Sequence, residues 1–292
     1  MASIKKILLC IFALFIFADL HAQQLMRSFQ EDMSFVQYLQ DKGQYQNAII
    51  ALNEIPVSTL NPSQQDSLNY LKGWSFYNIK SLDSSSFYLL KVDTPFTLYA
   101  KSRFFGAYNF IYLQYYDEAA KILNNLAGMN PINEETKYFE QAGIALLKKN
   151  YPVFDTLSSN FSYNFYALSA QEKRFLNYKK QLQGIKKRSP VVAGLMSAII
   201  PGTGKIYAGK TYQGIASMLP IVALALLTNE SYHKRGPHSA EFYGFGALLT
   251  VFYVGNIWGS VFAVKINRED HEKSINQKIL FDLQIPLRTI FN

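Results

Sequence analysis

Two uncharged apolar stretches near the C-terminus constrain this chain more than any other feature. Residues 242–264 run for 23 positions without a charge and residues 211–228 for 18. A helix of about 20 apolar residues crosses the hydrocarbon core of a bilayer, so 242–264 reads as a full span and 211–228 as a shorter one. Tyr243, Phe252, Tyr253 and Trp258 lie within the longer stretch. Charged residues make up only 17 % of the chain against 49 % apolar, as expected where part of the surface faces lipid.

Just before the first stretch, Gly204-Lys205-Ile206-Tyr207-Ala208-Gly209-Lys210-Thr211 fits the phosphate-loop pattern G-x-x-x-x-G-K-[ST]. In nucleotide-binding enzymes that pattern forms a glycine-rich turn whose N–H groups wrap a polyphosphate. The surroundings argue against it here. Ile206 and Tyr207 would crowd the cradle, and the segment that follows is uncharged and contains Pro220. No strand–helix alternation flanks the octet, so it is expected to be a bend between membrane segments. HExxH and G-x-S-x-G are absent from the sequence, and no catalytic, cofactor-binding or metal-ligating residue is assigned. Glu230, His233, His238 and Glu241 would gather a metal only if the loop between the spans closed on itself; a solvated loop is expected.

The first 22 residues have the parts of a secretory signal. Lys5 and Lys6 precede an apolar run over 7–17, and Leu20-His21-Ala22 offers a cleavage site. Cleavage would remove Cys10, the only cysteine, and with it disulfide and thiolate chemistry. It would also take Lys5, Lys6 and Asp19, lowering the formal charge from +8 to +7. The remaining excess is concentrated. Lys179, Lys180, Lys186, Lys187, Arg188, Lys205 and Lys210 occur between 179 and 211 without one Asp or Glu. A basic block abutting an apolar segment marks attraction to anionic lipid, and Lys186, Lys187 and Arg188 are read as lipid-facing. Nucleic acid is not expected as a partner.

Between 29 and 178 the apolar spacing is helical. Four pairs of segments emerge: 31–41 with 45–54, 64–79 with 84–92, 96–113 with 117–127, and 133–148 with 151–159. Tyr45, Leu82, Tyr116 and Tyr151, at or just before the second members, recur at spacings of 37, 34 and 35 residues. Gly106-Ala107-Tyr108 and Ala119-Ala120 supply small residues where helices meet, and Pro131 falls between two pairs; Ser84-Ser85-Ser86 stands where an Ala pair is expected. This pattern resembles the tetratricopeptide repeat (TPR) family, in which paired helices stack into a solenoid. The resemblance implies binding of protein or peptide partners.

The C-terminal half opens at Ser189-Pro190, followed by a ten-residue apolar run, 191–200, too short to span and expected to be interfacial or re-entrant. Pro201-Gly202-Thr203-Gly204, Tyr207-Ala208-Gly209 and Gly214 follow. The order Ser-Pro … Pro-Gly-x-Gly-x-x-Tyr-x-Gly resembles a small two-helix membrane domain found at the end of envelope proteins of Bacteroidota-type bacteria. The resemblance implies location and architecture, and no reaction. Gly255 and Gly259 share one face of the second span and allow close helix approach. Asn256 beside them is expected to hydrogen-bond across helices. Residues 267–292 read as a charged tail, with 279–291 as a short strand that Pro286 confines to an edge.

The expected fold is therefore all-α: a signal over 1–22, TPR-like helical repeats over 23–178, a basic linker over 179–188, a membrane domain over 189–266 and the tail. The expected function is a non-enzymatic scaffold without cofactor in the bacterial envelope, anchored in the inner membrane with its repeats in the periplasm. Its partners would be envelope proteins or peptides, and membrane lipid. A component of a transport or assembly complex, with a hairpin that forms homo-oligomers, is the alternative. An exported repeat half places the 179–188 cations outside, against the positive-inside tendency.

Overall fold

The computed structural model describes residues 28–126 and 129–291; the signal assigned to 1–22 lies outside them. Among the described residues there are thirteen α-helices, one 3-10 turn and no strand. The Cα packing divides the chain into two units, one ending at Asn133 and the other covering Glu134–Ile290.

The first unit holds α1 (Phe29–Asp41), α2 (Tyr45–Asn53), α3 (Pro62–Asn78), α4 (Leu82–Leu89), α5 (Tyr99–Tyr112) and α6 (Tyr116–Asn124), each packed on the next. Sequence chemistry sets the starts. Ser28 with Glu31, and Asn61 with Gln64, form reciprocal capping boxes, and Pro62 occupies the first turn of α3. The core is aromatic: the Trp74 and Tyr77 rings of α3 meet Phe105 of α5 edge-on at 5.2 and 5.1 Å. At Gly73 a Cβ would lie 2.6 Å from Leu89, so helix contact there requires glycine. Ser85 and Ser86 are fully buried and take the small-residue positions. Their hydroxyls donate to the carbonyls of Gly73 (2.9 Å) and Gly106 (3.2 Å), and Asn109 donates to Ser85 (2.9 Å).

One turn recurs. Gly43, Lys80, Gln114 and Lys149 all have φ between 56° and 70°. The N–H one residue further on reaches back five residues at each turn: Gln44 to Leu39, Ser81 to Phe76, Tyr115 to Phe110 and Asn150 to Ala145, at 2.8–3.0 Å. This is the Schellman closure of a helix, repeated at spacings of 37, 34 and 35 residues.

The second unit contains most of α7 (Pro131–Leu147), then α8 (Tyr151–Ser158), α9 (Tyr166–Gly184), α10 (Pro190–Ile199), α11 (Thr203–Tyr207), α12 (Thr211–Arg235) and α13 (Ala240–Ile290). The fourth helix pair thus packs with the apolar helices. Phe139 of α7 stacks on Phe175 of α9 at 4.3 Å. The strand expected over 279–291 is not formed: those residues are the last turns of the 51-residue helix α13. Ile275, Ile279, Leu283 and Leu287 recur at helical spacing and are buried. Leu283 fills the space over Gly143, where a Cβ would lie 2.5 Å from it. Asp282 is 3 % exposed and accepts from Arg174 of α9 at 2.6 and 2.9 Å and from the Tyr178 hydroxyl at 2.9 Å. Burial, then that bond, pushes the Tyr178 hydroxyl up to about 12. The loop expected over 229–241 is also mostly helical, since α12 runs to Arg235; Glu230 pairs with Lys234 at 2.6 Å and Glu241 with Arg235.

Helices α12 and α13 are long and apolar enough to cross a membrane, with mean hydropathies of 1.5 and 1.7 over their best 18 residues. Their large side chains point outward: Leu226 is 65 % exposed, Val251 68 % and Trp258 61 %.

Candidate functional site

The glycine octet lies at the centre of the apolar half, and its geometry follows from a few main-chain contacts. Pro190 opens α10 with Ser189 as cap, the Ser189 hydroxyl accepting from Val192 N–H. Pro201 and Gly202 end that segment, and Gly202 takes φ +87°, a conformation that favours glycine. The chain then makes the single turn α11 and leaves it at Gly209, φ +90°. Most N–H groups of the octet are used within this bend. Gly204 donates to the Ser197 hydroxyl at 2.9 Å. Lys205 and Ile206 both donate to the Gly202 carbonyl, Ala208 to Gly204, Gly209 to Ile206 and Lys210 to Lys205. A phosphate cradle needs such donors free and convergent; here they close a helical turn.

The motif glycines are contact points between backbones. A Cβ on Gly204 would lie 1.9 Å from the Ala193 carbonyl oxygen, and one on Gly202 would lie 2.3 Å from that of Gly214. A Cβ on Gly214 would meet Ile206 at 2.6 Å. Gly202, Gly204 and Gly214 therefore let α10, α11 and α12 touch, while the turn at Gly209 brings Ala208 against Ala193, Ala263 and Val264. Tyr207 packs against that cluster, and its hydroxyl accepts the Ser189 N–H at 3.2 Å.

Polar links hold α13 to this assembly. The Ser197 and Ser260 hydroxyls lie 2.7 Å apart in a fully buried contact, and the Tyr253 hydroxyl donates to the Ala198 carbonyl. The Ser217 hydroxyl of α12 donates to the side-chain carbonyl oxygen of Asn256 at 3.2 Å, while the Asn256 amide nitrogen is buried without a partner. Gly259 faces the Lys205 side chain, with 3.3 Å from a built Cβ to Lys205 Cε. At Gly255 a Cβ would have no atom of the described residues within 4 Å, and the residue lines a cavity with Lys205, Ser217 and Pro220.

Of the basic residues, Lys186, Lys187 and Arg188 lie between α9 and α10, whereas Lys179 belongs to α9 and pairs with Asp155 at 2.6 Å. Arg188 places its guanidinium over the Tyr207 ring at 5.8 Å. Among the described residues no group of three His, Cys, Asp or Glu side chains is placed to hold a metal.

Besides Asp282, sequence reasoning missed three further buried acids, Glu135, Glu140 and Glu172. Glu140 is fully buried with both oxygens unpartnered, and burial pushes its carboxyl well above the usual range. Glu172 of α9 is pushed up to about 8, first by burial and then by the neighbouring Glu135 carboxyl. Glu135 also accepts from the Ser162 backbone and hydroxyl at 2.9 and 2.8 Å. The only sequence signal was their position on the faces that α7 and α9 turn inward. Comparison with protein-family models, curated proteins and solved structures gives no match.

Proposed function

We propose that this chain is a non-enzymatic, membrane-anchored scaffold of the bacterial envelope, whose TPR-like helix pairs gather protein or peptide partners at the periplasmic face of the inner membrane. One contrast carries the reading: helices α1–α6 bury most of their large apolar side chains, with Phe35, Ile50 and Phe87 among the exceptions, while α12 and the uncharged stretch of α13 turn most of theirs outward. A water-soluble fold rarely leaves contiguous apolar faces of that extent, and lipid is the solvent that suits them. The recurrent Schellman turn at a 34–37-residue spacing supports the kinship to helical repeats. A cavity of about 600 Å³ in the first unit, lined by Asp66, Asn69, Lys91, Asp93 and Phe96 among others, offers both charge signs to a peptide.

Alkaline carbonate extraction should leave full-length protein in the membrane pellet, and crosslinking should recover specific envelope proteins through residues 28–126. Release into the supernatant would refute the anchor. Recovery of the same proteins by the apolar half alone would refute the scaffold. The second reading, an oligomerising hairpin in a transport or assembly complex, is favoured by the open space at Gly255 beside the unpaired Asn256 amide. Gly255→Leu should then abolish oligomers, whereas a plain scaffold would tolerate it.

A further inference from the structure

The chain leaves α9 at Gly184 and enters α10 at Pro190, and Lys186 and Arg188 lie on this connection. Both line a cavity of about 510 Å³, with Arg268 and His271 of α13 and the amides of Gln181 and Asn267 on its other walls. No carboxylate lines it. Arg268 is held by Glu272 at 3.0 Å. Lys186 and Arg188 have no carboxylate within 4 Å among the described residues. Arg188 is positioned instead by the Tyr207 ring and by the missing side chain of Gly209, where a Cβ would lie 2.7 Å from its Nη1. An arginine held by a ring and a glycine keeps its planar donors for a ligand, and that fork matches the oxygens of a phosphate.

The level of the cavity indicates which phosphate. Its walls include Ala208 and Val264, and Val264 is the last residue of the uncharged stretch of α13. Lys210, one residue before α12, reaches Asp270 at 3.8 Å. The two long helices therefore leave the apolar zone together at this height. Helix α10 begins immediately beyond Arg188 and exposes Val191, Leu195 and Ile199, the last by 80 %. Resting on the reading of α12 and α13 as spans, we propose that this cavity binds the phosphate of an anionic phospholipid whose acyl chains lie along α10. Basic pockets at the ends of spans suit such head groups. Inorganic phosphate shares the charged chemistry but would make no use of the apolar surface beside it.

The test uses full-length protein reconstituted with phosphatidylcholine alone or with added phosphatidylglycerol, purified in mild detergent, and assayed for retained lipid by mass spectrometry. Retention of about one phosphatidylglycerol per chain is expected, reduced at least about tenfold by Lys186→Ala and by Arg188→Gln. Lys187→Ala removes the same charge outside the cavity and should reduce retention less than about fivefold. Equal loss in all three variants would reduce the effect to general surface attraction and overturn the site. Displacement of the lipid by millimolar inorganic phosphate would overturn the lipid as occupant. Arg188→Lys separates fork from charge and, keeping the cation, guards against a folding defect: retention at the wild-type level would refute the argument from planar donors. Every variant should still resist carbonate extraction; release would fail the span reading itself, a result distinct from loss of bound lipid.

Discussion

Replacing Asp282 by alanine tests whether the end of α13 is structural or a solvated tail. Asp282 is nearly buried and is held by three hydrogen bonds, two from Arg174 and one from Tyr178. Removing one partner of a buried ion pair costs about 3–5 kcal/mol. The Arg174 side chain is 42 % exposed and can return to water, which lowers that figure, while the buried Tyr178 hydroxyl loses its acceptor at about 1–3 kcal/mol. A net cost of about 2–3 kcal/mol for docking this segment follows. If the segment opens locally, protease cleavage tracks the opening equilibrium. Trypsin should then cut after Lys278, an exposed lysine inside the helix, about 30- to 150-fold faster in Asp282→Ala, at ~1.4 kcal/mol per tenfold. Phe281→Ala is the control, since that ring is 63 % exposed, and should stay close to wild type. The double variant Arg174→Leu with Asp282→Leu should regain part of the loss, because no charge is stranded. Cleavage of Asp282→Ala within threefold of wild type would refute this account of the ion pair.

Three further outcomes follow from the geometry. Gly204→Ala should cost about 3 kcal/mol or more, because its Cβ meets backbone at 1.9 Å; Gly255→Ala should be neutral or stabilising by up to about 1 kcal/mol; Trp258 fluorescence during titration with a denaturing detergent compares them. Ser85→Ala leaves the buried Asn109 amide without its acceptor and should lower stability by about 1–3 kcal/mol in thermal unfolding followed by circular dichroism. Glu172 holds its proton to about pH 8 when folded and to its ordinary 4.5 when unfolded, so the unfolded chain ionises first. Stability contributed by the protonated form is therefore intact below about 4.5, falls as pH rises and levels off above 8, with at most about 3 kcal/mol lost between pH 6 and 8. Glu172→Gln should flatten that slope, and an unchanged slope would remove Glu172 as its source.

The helix pairs were legible because each segment carries its own period and each turn its own punctuation. Predicted bounds of 45–54 and 151–159 compare with Tyr45–Asn53 and Tyr151–Ser158. The left-handed turn residues were less legible: Gly43 announces itself, whereas Lys80, Gln114 and Lys149 share its conformation by position alone. The bend in the octet could be read from Pro201, Gly202 and Gly209, but the need for glycine at 204 depends on Ala193 across the contact, which no local pattern specifies. The last turns of α13 were misread because Pro286 and partial alternation masked a four-residue recurrence from Ile275 to Leu287. Proline there withholds one N–H near the end of a long helix, an omission that the packing against Gly143 and Arg174 tolerates. The inward acids stayed hidden because a glutamate on an otherwise polar stretch reads as solvated until the neighbouring helix covers it.

The uninterrupted course of α13 has a mechanical consequence. At 1.5 Å per residue its 51 residues form a strut about 75 Å long, with its greasy section and its docking section rigidly in phase. Rotating either end turns the other by the same angle, so the azimuth at which Leu283 meets Gly143 also dictates which way Trp258 points. Each residue added near Lys265 would swing that azimuth by about 100°, and four would nearly restore it. The apolar section is thus keyed to the docked section by helical pitch as well as by composition.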